Sequence, residues 1–251
     1  MSGLGLGLPE NASAHGHLID ELLWVTDRFD VVVVALLLGV LVLACVRFGR
    51  SRTASSDRGG SRWAIAKVVG LSLLLFGVVD GYLLGASLRG VDQVFWNFGA
   101  VEQDPRTLRV EVNAQEWTWS IRYAGPDGAF NTADDVLSLD EVRVPVGRPV
   151  LFELGASDVI HSFSLPAFRV KQDAVPGQLT RLWIEPARAG TFEIVCQQFC
   201  GVSHYKMRGT LVAMPEADFD AWLQEASRQA RLAFDPEDPG AHWGWAWRAA
   251  R

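Results

Sequence analysis

The densest chemistry in this sequence is the run Cys196-Gln197-Gln198-Phe199-Cys200-Gly201-Val202-Ser203-His204-Tyr205-Lys206-Met207, which sets two thiols, an imidazole and a thioether close together. Sulfur and imidazole in this mixture are the ligands that copper prefers. Two blander readings use the same residues. Cys196 and Cys200 can join as a disulfide in an oxidising compartment, and zinc accepts both cysteine and histidine. A disulfide gives no role to His204 or Met207, nor to the further histidine His161 beside the expected barrel. Zinc has little use for Met207, and its structural sites bring cysteines as closer pairs. Copper accounts for most of the set, with disulfide and zinc as the alternatives. The third of three cysteines, Cys45, lies in an apolar stretch and reads as a small packing residue.

A second candidate is the oxygen-rich stretch Asp127-Gly128-Ala129-Phe130-Asn131-Thr132-Ala133-Asp134-Asp135. It offers carboxylates to a hard cation such as calcium but matches no complete calcium-loop pattern, so an ordinary turn is the preferred reading.

The copper ligands need a scaffold, and the chain from Thr107 onward supplies one. Short apolar alternations at Leu108 to Val112, Trp117 to Tyr123, Glu141 to Val144, Val150 to Leu154, Gln178 to Ile184, Thr191 to Val195 and Gly209 to Met214 are separated by turn residues such as Pro126-Asp127-Gly128 and Pro176-Gly177. Strands at that spacing predict an antiparallel sandwich or barrel. Pro215, followed by Glu216 and Asp218, starts a helix with Phe219, Trp222 and Leu223 on one face. A tail with Trp243, Trp245 and Trp247 closes the chain, suited to a membrane surface or a partner.

Ahead of the strands the composition changes. The 251 residues average 49% hydrophobic, yet Val31 to Val46 carries no charge and Val68 to Leu88 carries only Asp80. A helix needs about 20 apolar residues to cross a bilayer, so Phe29 to Phe48 and the segment ending at Leu88 predict two spans. Between them lie Arg47, Arg50, Arg52, Arg58, Arg62 and Lys67 against Asp57 alone. The positive-inside rule puts that loop in the cytoplasm and both ends outside. Asp80 is either a functional polar contact or a carboxylate reaching interfacial water. Val42-Leu43-Ala44-Cys45 has the outline of a lipoprotein cleavage site, but what precedes it is long and acidic where a signal peptide is short and basic. The net charge of -6 argues against a nucleic-acid partner and is compatible with a cationic protein.

Several separated motifs in this order resemble cytochrome c oxidase subunit II: the copper-ligand run, Asp158-Val159-Ile160-His161-Ser162-Phe163, Phe168 through Gly177, and Asn113-Ala114-Gln115-Glu116-Trp117-Thr118-Trp119. The resemblance runs from the helical hairpin to Met214. It implies an α+β membrane protein: a two-helix transmembrane hairpin, then a cupredoxin-like antiparallel β-barrel and a C-terminal helix and tail. The expected divisions are 1–28 for an outer N-terminal segment, 29–90 for the hairpin, 91–214 for the copper domain and 215–251 for the helix and Trp-rich tail.

The same resemblance implies a binuclear copper centre (CuA). Cys196 and Cys200 would bridge two ions, His161 and His204 would each bind one, and Met207 and the main-chain carbonyl of Gln198 would complete the pair. The implied role is relay, with no catalytic residue and no haem in this chain. Electrons would come from a soluble or tethered cytochrome c near Trp117 and leave for haem in subunit I, which reduces O2 and pumps protons in a complex that also holds subunit III. Trp117 has a competing reading as a core strand residue, since alternation puts Trp119 on its face. Glu116, Asp134, Asp135 and Asp158 are candidates for docking a basic cytochrome c. The membrane would be the cytoplasmic (inner) one, with the copper domain on the periplasmic side.

Two positions depart from the family pattern. Gln198 stands where many members have a glutamate that binds magnesium or manganese at the subunit interface, and an amide is a poorer ligand for a hard cation, so that metal is not expected here. Ser61-Arg62 precedes Trp63 where a proton-uptake glutamate is often found. Two other functions stay open on sequence: the copper subunit of a nitric oxide reductase, and a structural subunit of a quinol oxidase with a Cys196–Cys200 disulfide.

Overall fold

The computed structural model describes residues 7–49, 61–234 and 237. Arg50, Arg52, Asp57 and Arg58 of the basic loop, and the Trp-rich tail, lie outside the described residues. The chain divides into two compact units, one of residues 18–96 and one that combines residues 1–17 with 97–251.

The first unit is helical. α1 (His17–Phe48) and α2 (Arg62–Gly90) are both long and apolar enough to cross a membrane. No residue of either is buried, and apolar side chains cover all sides, the pattern of a helix whose surroundings are themselves apolar. Phe29 meets Phe76 edge to face at 5.7 Å, which pairs the two helices. α1 starts at His17, well before the expected Phe29, because Leu18, Leu22 and Val25 extend its apolar face through a stretch that also carries charge. A π-helical turn, Val91–Phe95, follows α2.

The second unit opens with the short helix α3 (Phe98–Gln103) and continues as β1 (Leu108–Gln115), β2 (Thr118–Tyr123), β3 (Val136–Leu139), β4 (Glu141–Pro145), β5 (Val150–Ala156), β6 (His161–Leu165), β7 (Val170–Ala174), β8 (Thr180–Ile184), β9 (Gly190–Cys196) and β10 (Arg208–Met214), then α4 (Glu216–Ala233). Two five-stranded sheets form, in orders β3-β2-β1-β5-β8 and β4-β10-β9-β6-β7. Two pairings, β1 with β5 and β4 with β10, are parallel, so the cupredoxin-like sandwich is mixed where an all-antiparallel one was expected. Parallel neighbours need long crossovers, and several strands intervene here: β2, β3 and β4 between β1 and β5, and β5 through β9 between β4 and β10.

Trp119, Phe152, Phe163, Phe168 and Leu211 fill the core. The outer face of β1 and β2 is closed as well. Arg122 Nε donates to Glu111 Oε2 at 2.7 Å, and the Asp127–Asp135 stretch folds over this buried pair, with Asn131 Oδ1 accepting from Arg122 at 2.9 Å. The carboxylates of that loop meet internal donors: Asp127 the amide of Ala129, Asp134 the hydroxyl of Thr132, Asp135 the amide of Asn131. That is turn chemistry. α4 seats Phe219 against Tyr123, whose hydroxyl accepts from the Arg143 amide at 2.7 Å.

The N-terminal arm belongs to this unit. Ala12 is fully buried, its amide donates to the Ala167 carbonyl and its carbonyl accepts from Ala187, both at 2.8 Å. Ala14 adds a bond to the Glu185 carbonyl at 3.0 Å.

Candidate metal centre

β6 and β9 are antiparallel neighbours, with Phe163 opposite Cys196. That register sets His161, at the start of β6, beside Cys196, at the end of β9. Cys200, His204 and Met207 then return on the β9–β10 connection. The connection is folded by its own main chain: Cys196 N–H to Met207 O at 3.1 Å, Gln197 N–H to Ser162 O at 3.1 Å, and a 3-10 turn at His204–Lys206. Gly201 turns the chain at φ 112°, a conformation that favours glycine.

The side chains converge. Cys196 Sγ and Cys200 Sγ are 3.8 Å apart and unbonded. Cys200 Sγ is 3.4 Å from His204 Nδ1 and 3.7 Å from Met207 Sδ. His161 Nδ1 is 3.1 Å from Met207 Sδ, and the Gln198 carbonyl lies 3.3 Å from Cys196 Sγ. His161, Cys196, Cys200 and Met207 are buried, and His204 is partly exposed.

His161 Nε2 donates to Asp158 Oδ1 at 2.8 Å. An ionised carboxylate only accepts, so Nε2 carries a proton, and Nδ1 faces Met207 Sδ.

The thiols behave as a pair. Burial alone raises the Cys196 pKa, but hydrogen bonds from His161, the main chain at Ser162 and Gln198, and Cys200 outweigh it and favour the thiolate. Burial pushes the Cys200 thiol up, and the charge on Cys196 pushes it further. Two buried thiolates at this separation therefore call for a cation to hold both ionised. Sulfur, imidazole and one carbonyl form a soft donor set that fits copper; zinc would leave Met207 without a role.

The turn between β1 and β2 touches the same site. Trp117 is half-buried, lies in the turn and not in β2, and donates from Nε1 to the Cys200 carbonyl at 3.1 Å. Trp119, the next residue but one, is fully buried with its ring edge-on to His161 at a centroid distance of 6.1 Å. Because the strand starts at Thr118, alternation does not put both tryptophans on one face. Among the docking candidates Glu116 is exposed. Asp134 and Asp135 are not presented to a partner: both are buried, Asp134 accepts from Arg231 at 2.8 Å, and Asp135 Oδ2 lies 3.8 Å from Arg122 Nε. Sequence reasoning took them for surface acids because their cationic partners come from elsewhere in the chain. Asp158 accepts from His161 and, through Oδ2, from the Glu116 amide at 2.6 Å.

A family profile described as cytochrome c oxidase subunit II, periplasmic domain, matches residues 108–213. The chain is 36% identical over 163 residues to an alternative cytochrome c oxidase subunit 2 from Bradyrhizobium diazoefficiens, a match covering 56% of this chain and 58% of that one. It is 46% identical over 159 residues to cytochrome c oxidase subunit 2 from Cereibacter sphaeroides, covering 51% and 52%. The chain thus spans a little over half the length of these relatives. A crystal structure of the periplasmic domain of subunit II of cytochrome oxidase from Bradyrhizobium japonicum aligns at 28% identity and TM-score 0.44, covering 49% of this chain and 94% of that one. Over residues 108–213, the domain that carries the thiol, imidazole and thioether cluster, the chain is similar to the periplasmic domain of cytochrome c oxidase subunit II.

Proposed function

We propose that this chain is the electron-accepting subunit of a haem-copper oxidase. It would receive electrons from cytochrome c beside Trp117 and pass them to haem in subunit I, where O2 is reduced to water with proton pumping. The observation that carries this reading is the convergence of both thiols with Met207 Sδ and the Nδ1 atoms of His161 and His204 at one end of the β6–β9 pair. Cys196 and Cys200 would bridge two copper ions, with His161 and His204 one on each. Met207 and the Gln198 carbonyl would complete the set. A copper pair held by shared thiolates supplies one-electron storage with little change in ligand positions.

The protein's own residues do the rest. The sandwich fixes the ligands in advance and excludes water from Cys200 and Met207. Trp117 joins the exposed turn to Cys200 through one hydrogen bond. Gln198 is exposed and uncharged, so we assign no interface magnesium or manganese to its side chain. The helical unit, 18–96, anchors the chain in the cytoplasmic membrane alongside subunits I and III, and the β unit faces the periplasm.

The test is copper loading of the full chain in detergent. The reading predicts two coppers per chain and a spin-resonance pattern of one electron shared by both. A single mononuclear signal, or cysteines that titrate as a disulfide, would sink it. Oxygen and nitric oxide turnover by the purified complex separates an oxidase from a nitric oxide reductase.

A further inference from the structure

We infer that the pocket between the outer ends of α1 and α2 binds the headgroup of a phospholipid that carries both a phosphate and a primary ammonium. The inference rests on the helical unit lying in a membrane and is independent of the copper reading. Every residue that lines the pocket belongs to the helical unit. Its volume is about 340 Å³, with Leu18 and Leu22 of α1 facing Tyr82 and Ala86 of α2 across it. Local sequence keeps the space open where the helices end. Ala86, Ser87 and Gly90 line it with small side chains, and the π-helical turn Val91–Phe95, a wider coil than the α-helix before it, brings Val94 and Phe95 into the wall. Aromatic side chains mark the depth: Trp24, Tyr82 and Trp96 are all exposed, and tryptophan and tyrosine collect at the level of lipid headgroups.

The charges in this wall select the ligand. Two opposite ones line it, Glu21 on α1 and Arg89 at the end of α2, and both are exposed. Arg89 donates from Nε to the Gly85 carbonyl at 3.0 Å, which steadies the side chain and leaves its amino groups for a ligand. A guanidinium fork matches phosphate oxygens in geometry as well as in charge. Glu21 is the complementary acceptor for an ammonium that can donate hydrogen bonds. A headgroup with phosphate alone would set its charge against Glu21, with Asp20 next to it in the chain. A fully methylated ammonium would have no proton to give that carboxylate. The hydroxyls of Tyr82 and Ser87 offer hydrogen bonds to the ester region, and Leu18, Leu22, Val94 and Phe95 suit the start of the acyl chains.

The test uses the full chain, purified in detergent, stripped of lipid and supplied in turn with phosphatidylethanolamine, phosphatidylcholine or phosphatidylglycerol of the same acyl chains. Native mass spectrometry counts the lipid that each chain retains as detergent is removed. One phosphatidylethanolamine per chain is expected, held about 10-fold more tightly than either of the others, because each of those loses a charge-assisted hydrogen bond. Arg89→Gln and Glu21→Gln should each lower its retention by about 10-fold, whereas Lys67→Gln, toward the other end of α2, should leave it unchanged. If Arg89→Gln does not insert, Glu21→Gln decides. Equal retention of the three lipids, or a preference that survives both substitutions, overturns the inference. In the assembled complex a photoreactive phosphatidylethanolamine should label residues 18–22 and 91–95. Cross-links from those residues to another subunit, with none to lipid, would mean that protein fills the pocket and would overturn it as well.

Discussion

The two units put their apolar side chains on opposite sides. In the helical unit Leu37, Leu43 and Leu73 point outward along their whole length, and no residue of α1 or α2 is buried. In the β unit Phe152, Phe163 and Leu211 are fully enclosed, and even charged Arg122 and Glu111 lie inside. One unit meets its solvent with hydrocarbon; the other hides hydrocarbon and pairs what charge it buries. The difference teaches where each part of the chain is sensitive. Substitutions in the helices act through the surrounding medium, and substitutions in the sandwich act through packing.

The largest expected effect follows directly. Phe163 packs edge-on to Trp119 at 5.1 Å and against Phe152 at 5.4 Å, so Phe163→Ala should cost about 3–5 kcal/mol of β-unit stability. Leu43→Ala in α1 removes an exposed side chain and should leave that unfolding transition unchanged. Denaturant unfolding of the full chain in detergent, followed by aromatic ellipticity, checks both. Equal losses would mean that α1 is packed as a soluble core helix.

A charge reverses the order of the units. Leu38→Arg places a guanidinium in the middle of the uncharged Val31–Val46 run of α1, at a cost of about 2.5–3.5 kcal/mol for insertion near a span's centre. Protease protection in membranes reads it out. Lys171→Arg, on the exposed face of β7, should do nothing measurable.

How much of this was legible beforehand differs between the units for the same physical reason. The helices were readable because a bilayer-spanning segment is specified by local composition. Their boundaries were not, since residues 17–28 mix charge with an apolar stripe. In the β unit the ligand run was legible because Cys196 to Met207 is local in sequence. β6 and β7 were missed because His161-Ser162-Phe163-Ser164-Leu165 and Val170-Lys171-Gln172-Asp173-Ala174 show weak apolar alternation, and β6 is buried on both faces by pairing that no local pattern encodes. The parallel pairs, the docked N-terminal arm and the inward use of Asp158 all depend on residues distant in sequence. Trp117 was read as the first residue of a strand, and the start of β2 at Thr118 frees it for the turn.

The arm tests where the boundary between the units falls. Ala12 lies in the core with both of its main-chain groups bonded, so Ala12→Ser buries an added hydroxyl there. The β unit should lose about 1–3 kcal/mol, read as a lower thermal midpoint of its near-ultraviolet signal. An unchanged midpoint would return residues 7–16 to the status of a linker.

The smallest effect concerns charge buried at the edge of the sandwich. Asp134 is buried and its carboxylate accepts from Thr132 and from Arg231 on α4. Burial opposes ionisation, but these hydrogen bonds and the nearby guanidinium outweigh it and hold its pKa below the usual carboxylate value. A depressed pKa in the folded state means that the contribution is fully present above the unfolded pKa, near 3.8, and is lost as pH falls through the lower folded value. Because Arg231 is 58% exposed, solvent screens the pair, and Arg231→Ala should cost at most about 1 kcal/mol at neutral pH. The difference between the two chains should shrink on acidification below about pH 4 as the carboxylate takes up its proton. Thermal midpoints of both chains from pH 7 to pH 3 measure it, and a difference that grows toward low pH would mean that Arg231 holds α4 by packing and not by charge.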